Sequence, residues 1–477
     1  MAGTDIAFGT SGLRGPAAGF TRPRIAAYTR AFLAVCCPGP ADRVVIGQDR
    51  RASSPAITEE VARALAASGW RSINAGTVPT PALAAYAMAR GLPAIMVTGS
   101  HTPADQNGLK FYRPVGELLK ADEAPIRAAA ETQVASMPEP AAPHRPALPP
   151  AICDIKTEYR DRYLRAFPPD ALEGLSIGVF EHSAAGRDLV VDVLSGLGAR
   201  CVRFGRTEGF TAVDTEAIEA DVMHTARRML SEHGLAAVVS TDGDGDRPLL
   251  IAETGAQITG DVLGAVTARY LGADTVVTPL TSTSAVEASG WFKSVHRTKI
   301  GSPYVVEALA SAAGGVAVGF EANGGFLQQS PITLTAGALA PLPTRDALLP
   351  LIACLATARN RAIPVSQIAA DLPPRAMKAG RLRPVMPDLA RTFLGRIASD
   401  PAARAEIAPE LETPCAVDLT DGVRLTLSDD TIVHFRQSGN APEMRCYVET
   451  AAAADTDALL RMLLAHAQAF LKTLESR

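Results

Sequence analysis

Runs long and apolar enough to span a membrane are missing from this 477-residue chain, since none reaches the ~18 residues a span requires. A surplus of one charge is missing too. The formal net charge is −4, so electrostatics give no case for nucleic acid or a membrane surface. Lysine is scarce beside arginine, and the arginines are dispersed, as solvated surface residues usually are. The seven cysteines are an odd number without metal-type spacing, and Cys36 and Cys37 are merely adjacent. No signal-peptide pattern precedes the first motif. Together these absences predict a soluble protein of a reducing cytoplasm, with neither a nucleic-acid nor a membrane partner.

What is present is apolar content for full cores, 47% of residues. The length predicts three or four domains at ~100–200 residues each. Strand-like runs alternate with amphipathic helical stretches, which argues for α/β layers. Residues 43–47 and 94–97 read as strands, with a helix over 57–68 between them. Residues 131–150, rich in Pro and Ala, read as a linker closing a first domain, 1–150. A second domain, 151–256, opens with a helix near 155–166 and contains a strand over 175–180. A third, 257–372, holds strands over 274–278 and 316–319 and ends at Leu372-Pro373-Pro374. The last, 373–477, has short alternating strands over 423–427, 431–435 and 445–449 before a helix over 455–473, an α+β texture. The first three are similar in size and pattern, a hint of internal repetition.

Two segments carry the chemistry. Residues 98–103 read Thr-Gly-Ser-His-Thr-Pro, a hydroxyl nucleophile, Ser100, beside His101 on a tight loop. Residues 242–247 read Asp-Gly-Asp-Gly-Asp-Arg, with Asp242, Asp244 and Asp246 alternating with Gly and followed by Arg247. Magnesium takes oxygen ligands, usually a few carboxylates plus a phosphate oxygen. A phosphorylated Ser100 would supply that oxygen, so the pair suggests phosphoryl transfer through a phosphoserine. Other readings stand beside it: a plain polar loop, a Ser-His hydrolase without the G-x-S-x-G elbow, or a calcium loop. Counted from Asp242, Glu253 falls at the twelfth EF-hand position, but Arg247 stands where that loop needs Gly, and both flanks read as strands.

Three further segments suit anionic or hydroxylated ligands. Residues 9–15, Gly-Thr-Ser-Gly-Leu-Arg-Gly, can present backbone N–H groups and Arg14 to a phosphate. Residues 436–442, Arg-Gln-Ser-Gly-Asn-Ala-Pro, offer Arg436, Ser438, Gly439 and Asn440 as a second cradle. In 319–325, Gly-Phe-Glu-Ala-Asn-Gly-Gly, Glu321 and Asn323 suit sugar hydroxyls, which both donate and accept. Each also reads as an ordinary turn.

The order and spacing of these segments, from Phe8 to about Glu449, resemble the α-D-phosphohexomutase superfamily. The resemblance implies four domains around a central cleft: three similar mixed-sheet α/β domains and a C-terminal α+β domain like the TATA-binding protein. It implies phosphoserine at Ser100, one Mg²⁺ held by Ser100, Asp242, Asp244 and Asp246, and a hexose phosphate as partner. Catalytic assistance would come from Arg14, His101 and Lys110. Substrate would be held by Arg247, Lys299, Gly301, Glu321, Asn323, Arg436, Ser438, Gly439 and Asn440. The implied reaction interconverts hexose 6- and 1-phosphates through a hexose 1,6-bisphosphate, in a monomer or homodimer. Mannose phosphate is the expected sugar and glucose phosphate the alternative. Glucosamine phosphate, or sugar-phosphate binding without turnover, is further off. The chain departs from the family pattern in its sugar loop, where many members read Gly-Glu-(Met/Glu)-Ser-Gly-His. Asn323 stands at the Ser and Gly325 at the His.

Overall fold

The computed structural model describes residues 5–9, 11–39, 42–136, 148–152, 154–312, 314–438 and 442–475. Its elements fall into three mixed-sheet α/β modules and one antiparallel α+β module.

The first sheet runs, in spatial order, Ala7–Phe8, Leu13–Pro16, Gln106–Arg113, Ala94–Val97, Arg43–Gln48, Arg71–Thr77, and Gly116–Glu117 also pairs with Gln106–Arg113. Ala94–Val97, Arg43–Gln48 and Arg71–Thr77 are parallel, while Gln106–Arg113 returns antiparallel to Ala94–Val97. Every residue of Ala94–Val97 is buried, as a central strand covered on both faces demands. The second sheet runs Gln257–Ile258, Pro248–Ala252, Ala237–Thr241, Ser176–Phe180, Arg200–Phe204. The third runs Ser294–Thr298, Thr275–Pro279, Ala317–Phe320, Phe326–Gln328, Leu342–Asp346.

One device recurs in all three. A buried strand with a parallel neighbour ends in a loop, and the next strand folds straight back beside it. Ala94–Val97 returns as Gln106–Arg113, Ala237–Thr241 as Pro248–Ala252, and Ala317–Phe320 as Phe326–Gln328. The loops at these reversals hold Ser100, Asp242–Asp246 and Glu321–Asn323. The repetition hinted at by the sequence is therefore real at the level of topology. Strands flanking the acidic loop also remove the EF-hand reading, and Glu253 accepts instead from the Ser366 N–H at 3.1 Å.

Two local expectations need correction. The helix Lys120–Ser136 continues into the segment expected to be a linker, because Pro and Ala suppress a helix only where Pro removes a needed N–H; residues 137–147 lie outside the described set. The strand Gln257–Ile258 pairs with Pro248–Ala252, so the second sheet extends past residue 256.

The C-terminal sheet is antiparallel throughout, in the order Ala376–Leu382, Met444–Thr450, Ile432–Gln437, Val423–Thr426, Ala416–Asp418. Phe393 of helix Pro387–Ser399 packs edge-on against Phe435 of the sheet and Phe470 of helix Ala453–Glu475. By compactness the chain forms two units. The larger spans Met1–Val277, Phe292–His296 and Gly301–Ala369 and so holds most of the three α/β modules. The smaller gathers Ala370–Arg477 with two pieces of the preceding chain, Thr278–Trp291 and Arg297–Ile300. The first piece is tied in by Glu449, which accepts from Thr283 Oγ at 2.6 Å and from the Ser284 N–H at 3.0 Å, and the second by Asp421, which accepts from the Ile300 N–H at 3.1 Å.

The helix Gly260–Tyr270 packs so closely on the sugar-loop module that a Cβ on Gly264 would lie 2.2 Å from Phe320 Cγ. Gly264→Ala should destabilise the larger unit by about 1–3 kcal/mol, the cost of overpacking a filled core. A Cβ on Gly395, in the other unit, would meet nothing within 4 Å, so Gly395→Ala should stabilise by about 0.4–1 kcal/mol. Thermal unfolding of both variants, followed transition by transition, checks the pair.

Candidate active site

Ser100 sits at the C-terminal end of its strand with φ +56°, in the left-handed region, and is 1% exposed. A non-glycine residue held there costs of order 1–2 kcal/mol, so something must over-determine the loop. Arg51 does so. Its guanidinium donates to the carbonyls of Ser100 (2.8 Å), Thr102 (2.6 Å), Gln106 (3.0 Å) and Pro103. Its charge is paired with Asp49 at 3.1 Å, both side chains being fully buried, and it stacks 4.0 Å from the centre of the Phe210 ring. Asp49 also accepts from Ser54 and Thr98 hydroxyls at 2.6 and 2.7 Å, and Thr98 Oγ accepts from the Ser100 N–H at 2.8 Å. Gly99 is obligatory, since a Cβ would stand 2.7 Å from the guanidinium carbon of Arg51.

The Ser100 hydroxyl donates to Asp242 at 2.6 Å, linking the first two motifs. It makes no bond to His101, whose Nδ1 is buried without a partner, so no Ser-His dyad forms. Burial, then repulsion from Arg247 and Arg14, pushes the His101 imidazole down to about 2, and the ring is neutral at ordinary pH.

Asp242, Asp244 and Asp246 are all buried, with one oxygen from each within 4.8 Å of the others. Lys110 reaches in from the strand Gln106–Arg113 and donates to Asp244 at 2.5 Å and Asp246 at 2.6 Å. Thr80 donates its hydroxyl to Asp244, and its N–H to the Asp244 carbonyl at 2.8 Å. The N–H groups of Asp246 and Arg247 fold back onto Asp242 Oδ1 at 3.1 and 3.2 Å. Burial, then the charges of Asp244 and Asp246, pushes the Asp242 carboxyl well above the usual carboxylate range. At Asp244 burial acts the same way, but Lys110 and the bonds from Lys110 and Thr80 outweigh it and hold that carboxyl low. Asp244 Oδ1 and Asp246 Oδ1 are nevertheless buried with no hydrogen-bond partner. Orphaned carboxylate oxygens beside a third carboxylate and a hydroxyl are a hard-oxygen donor set, and they fit a divalent cation such as Mg²⁺.

Further cations surround the triad. Burial, then repulsion from Arg247 and Arg345, lowers the Arg14 guanidinium to about 10. Arg247 lies 3.6 Å from Glu216. Arg345, 2% exposed at the end of the strand Leu342–Asp346, stands 2.9 Å from Asp246 and 3.4 Å from Glu321, and donates to Ser11 Oγ at 3.2 Å. The sugar-loop candidate Glu321 thus joins the cluster through Arg345. Asn323 turns its amide oxygen to the Gly325 N–H at 2.9 Å, bracing the turn. Gly301, with φ +129°, precedes the helix Ser302–Ala310, and Ser302 Oγ donates to the buried Glu117 at 3.0 Å.

Within the smaller unit, Asp421 brings two of the remaining candidates together. It accepts from the Ile300 N–H at 3.1 Å, next to the exposed Lys299, and lies 3.3 Å from Arg436 Nε. Ser438 is buried, its N–H bonded to the Glu443 carbonyl at 2.9 Å. Gly439 and Asn440 lie outside the described residues.

Sequence reading passed over Asp49, Arg51, Thr80 and Arg345. A signal for the first two existed: they directly follow the strand Arg43–Gln48, parallel neighbour of the strand that delivers Ser100, and strand C-termini are where α/β sheets place ligands. Arg345 has no local motif to betray it.

Residues 5–136 match the family described as phosphoglucomutase/phosphomannomutase, alpha/beta/alpha domain I, and residues 259–376 match domain III of the same family. The chain is 39% identical to a phosphomannomutase of Salmonella muenchen, over 97% of this chain and 96% of that one. It is equally 39% identical to a phosphomannomutase of Sinorhizobium fredii (strain NBRC 101917 / NGR234), over 96% of this chain and 97% of that one. Its fold matches the crystal structure of a phosphoglucomutase/phosphomannomutase family protein from Burkholderia thailandensis with a TM-score of 0.75 at 18% identity, covering 98% of each chain. On this evidence the chain belongs to the phosphoglucomutase/phosphomannomutase family.

Proposed function

We propose that this chain is a phosphomannomutase that interconverts mannose 6-phosphate and mannose 1-phosphate through a phosphoryl group carried on Ser100 and a hexose 1,6-bisphosphate. The observation that carries this reading is the Ser100 hydroxyl, held 2.6 Å from a buried aspartate triad with two orphaned oxygens. Full-length relatives named phosphomannomutase support the choice of sugar. Mannose and glucose differ at C2, whereas Glu321 and Asn323 are expected to face O3 and O4, so glucose phosphate is the second substrate. The protein would work in the cytoplasm, as a monomer or homodimer.

Mg²⁺ would be held by Ser100, Asp242, Asp244 and Asp246, and when bound it offsets charge on the transferring phosphoryl group. The free sugar hydroxyl attacks the phosphorus on Ser100. A P–O bond to the sugar forms as the bond to Ser100 Oγ breaks, and the proton lost by the sugar is matched by the one Ser100 regains. Lys110 is the candidate shuttle, with His101 a neutral neighbour. Arg14 and Arg247 supply positive charge where the equatorial oxygens gather it. The phosphate not being transferred would rest on Arg436, Ser438, Gly439 and Asn440, with Lys299 and Gly301 recognising the sugar. The bisphosphate then reverses and returns its other phosphate to Ser100.

A coupled assay with mannose 1-phosphate, Mg²⁺ and a trace of the 1,6-bisphosphate should show turnover, and Ser100→Ala should abolish it with the fold intact. Near-wild-type turnover by Ser100→Ala would remove the phosphoserine. Arg436→Ala should raise KM for the sugar phosphate by about tenfold or more, the scale of a lost charge-assisted hydrogen bond; unchanged steady-state kinetics would displace the distal-phosphate loop. Arg51→Met leaves Asp49 buried without its counter-charge and should cost about 3–5 kcal/mol of stability. Denaturant unfolding should show Asp49→Asn with Arg51→Met losing less than the sum of the single variants.

A further inference from the structure

The turn Glu321–Gly325 is shaped around a side chain from another strand. A Cβ on Gly325 would lie 2.7 Å from both Cγ and Cδ of Arg345. The room a side chain at 325 would take is therefore already filled, by a stem that carries a guanidinium into the site. That guanidinium meets Asp246 of the metal loop at 2.9 Å, Glu321 of the sugar loop at 3.4 Å and Ser11 of the N-terminal loop at 3.2 Å. Its Nε is buried with no partner. A rigid planar fork is the side chain suited to bridging two carboxylates at fixed separation, and a flexible ammonium is not.

We propose that Arg345 is a positioning residue of the transfer reaction: it couples the sugar-reading Glu321 to the metal-facing Asp246, so that the sugar is read at a place set by the phosphoryl-transfer loop. The proposal rests on the mutase reading above. Two consequences separate it from a merely structural role. Arg345 offsets one charge of the aspartate triad, so its removal strengthens cation binding there even as it weakens turnover. It also orients Glu321, so its removal alters how the enzyme ranks sugars that present different hydroxyls.

The experiment compares wild type, Arg345→Met, Arg345→Lys and Gly325→Ala. Turnover is measured with mannose 1-phosphate and glucose 1-phosphate, and Mn²⁺ affinity is titrated separately by calorimetry. Arg345→Met is expected to lose about 10–100-fold in kcat/KM, the scale on which partners of metal ligands act, with a higher KM and a changed mannose-to-glucose ratio. Its Mn²⁺ affinity should hold or rise. Arg345→Lys should recover only part of the turnover. Gly325→Ala keeps the charge but displaces the stem, and should give a milder loss with the same change of ratio. The proposal is overturned if Arg345→Met and Gly325→Ala keep both kcat/KM and the sugar ratio, or if Mn²⁺ affinity and turnover collapse together in Arg345→Met. Wild type that turns over neither sugar overturns the mutase reading instead, and the Mn²⁺ titration then decides the charge role of Arg345 alone.

Discussion

Three carboxylates crowded into a buried space are the constraint on which the larger unit is built. Each pays for desolvation and repels the other two, and no arrangement of apolar neighbours relieves that. Relief comes from all three α/β modules. Asp242, Asp244 and Asp246 belong to the second sheet's hairpin, Lys110 to the first sheet and Arg345 to the third. Thr80 starts a first-module helix and adds a hydroxyl and an N–H to Asp244. Glu117 accepts Ser302 Oγ at 3.0 Å and Thr344 Oγ at 2.5 Å, tying the first module to the third a second time. The charges the chemistry needs are thus also the contacts that hold the modules in register. Losing one counter-charge should be felt in folding as well as in turnover.

The way each loop is produced explains how much of this was legible in advance. A buried strand, an abrupt polar and glycine-rich segment, then a second strand is a local pattern. It places the Ser100, Asp242–Asp246 and Glu321–Asn323 loops from sequence alone, and the strand Ala94–Val97 has the bounds expected of it. The C-terminal α+β texture was legible for the same reason, because alternation along short strands is also local. Boundaries were less so. The Pro- and Ala-rich stretch supports helix as far as Ser136. Thr283 and Ser284 join the C-terminal unit through bonds to Glu449, and Ile300 through one to Asp421. No periodicity announces an association of that kind.

The supports of the site were illegible for a related reason. Arg51 acts on Ser100 from a neighbouring strand, and its partner Asp49 lies two residues away, in a run that reads like any charged turn. Arg345 reaches Asp246 across an even longer stretch of chain, and Glu321 from a different strand. One arginine among many dispersed ones has no distinguishing context until the sheets are assembled. The one trace of it in the sequence is negative: glycine at 325, where the family pattern has a bulkier residue, marks space that some other group must fill.

That exchange bears on how protons move in the site. A guanidinium stays charged throughout the pH range in which enzymes work, so Arg345 contributes a fixed positive charge and takes no part in acid–base chemistry. His101 is neutral, with its Nδ1 orphaned. Among the described residues, Lys110 is the ammonium that donates to two of the triad's carboxylates at once, which is why the proposed mechanism assigns it the shuttle. Such an arrangement suits a reaction that ends with as many protons on the enzyme as it began with. In the proposed transfer the sugar hydroxyl loses one and Ser100 regains one, so a relay there only has to pass a proton across. The fixed charge of Arg345 meanwhile stands between two carboxylates, 2.9 Å from Asp246 and 3.4 Å from Glu321, and answers both whatever the pH.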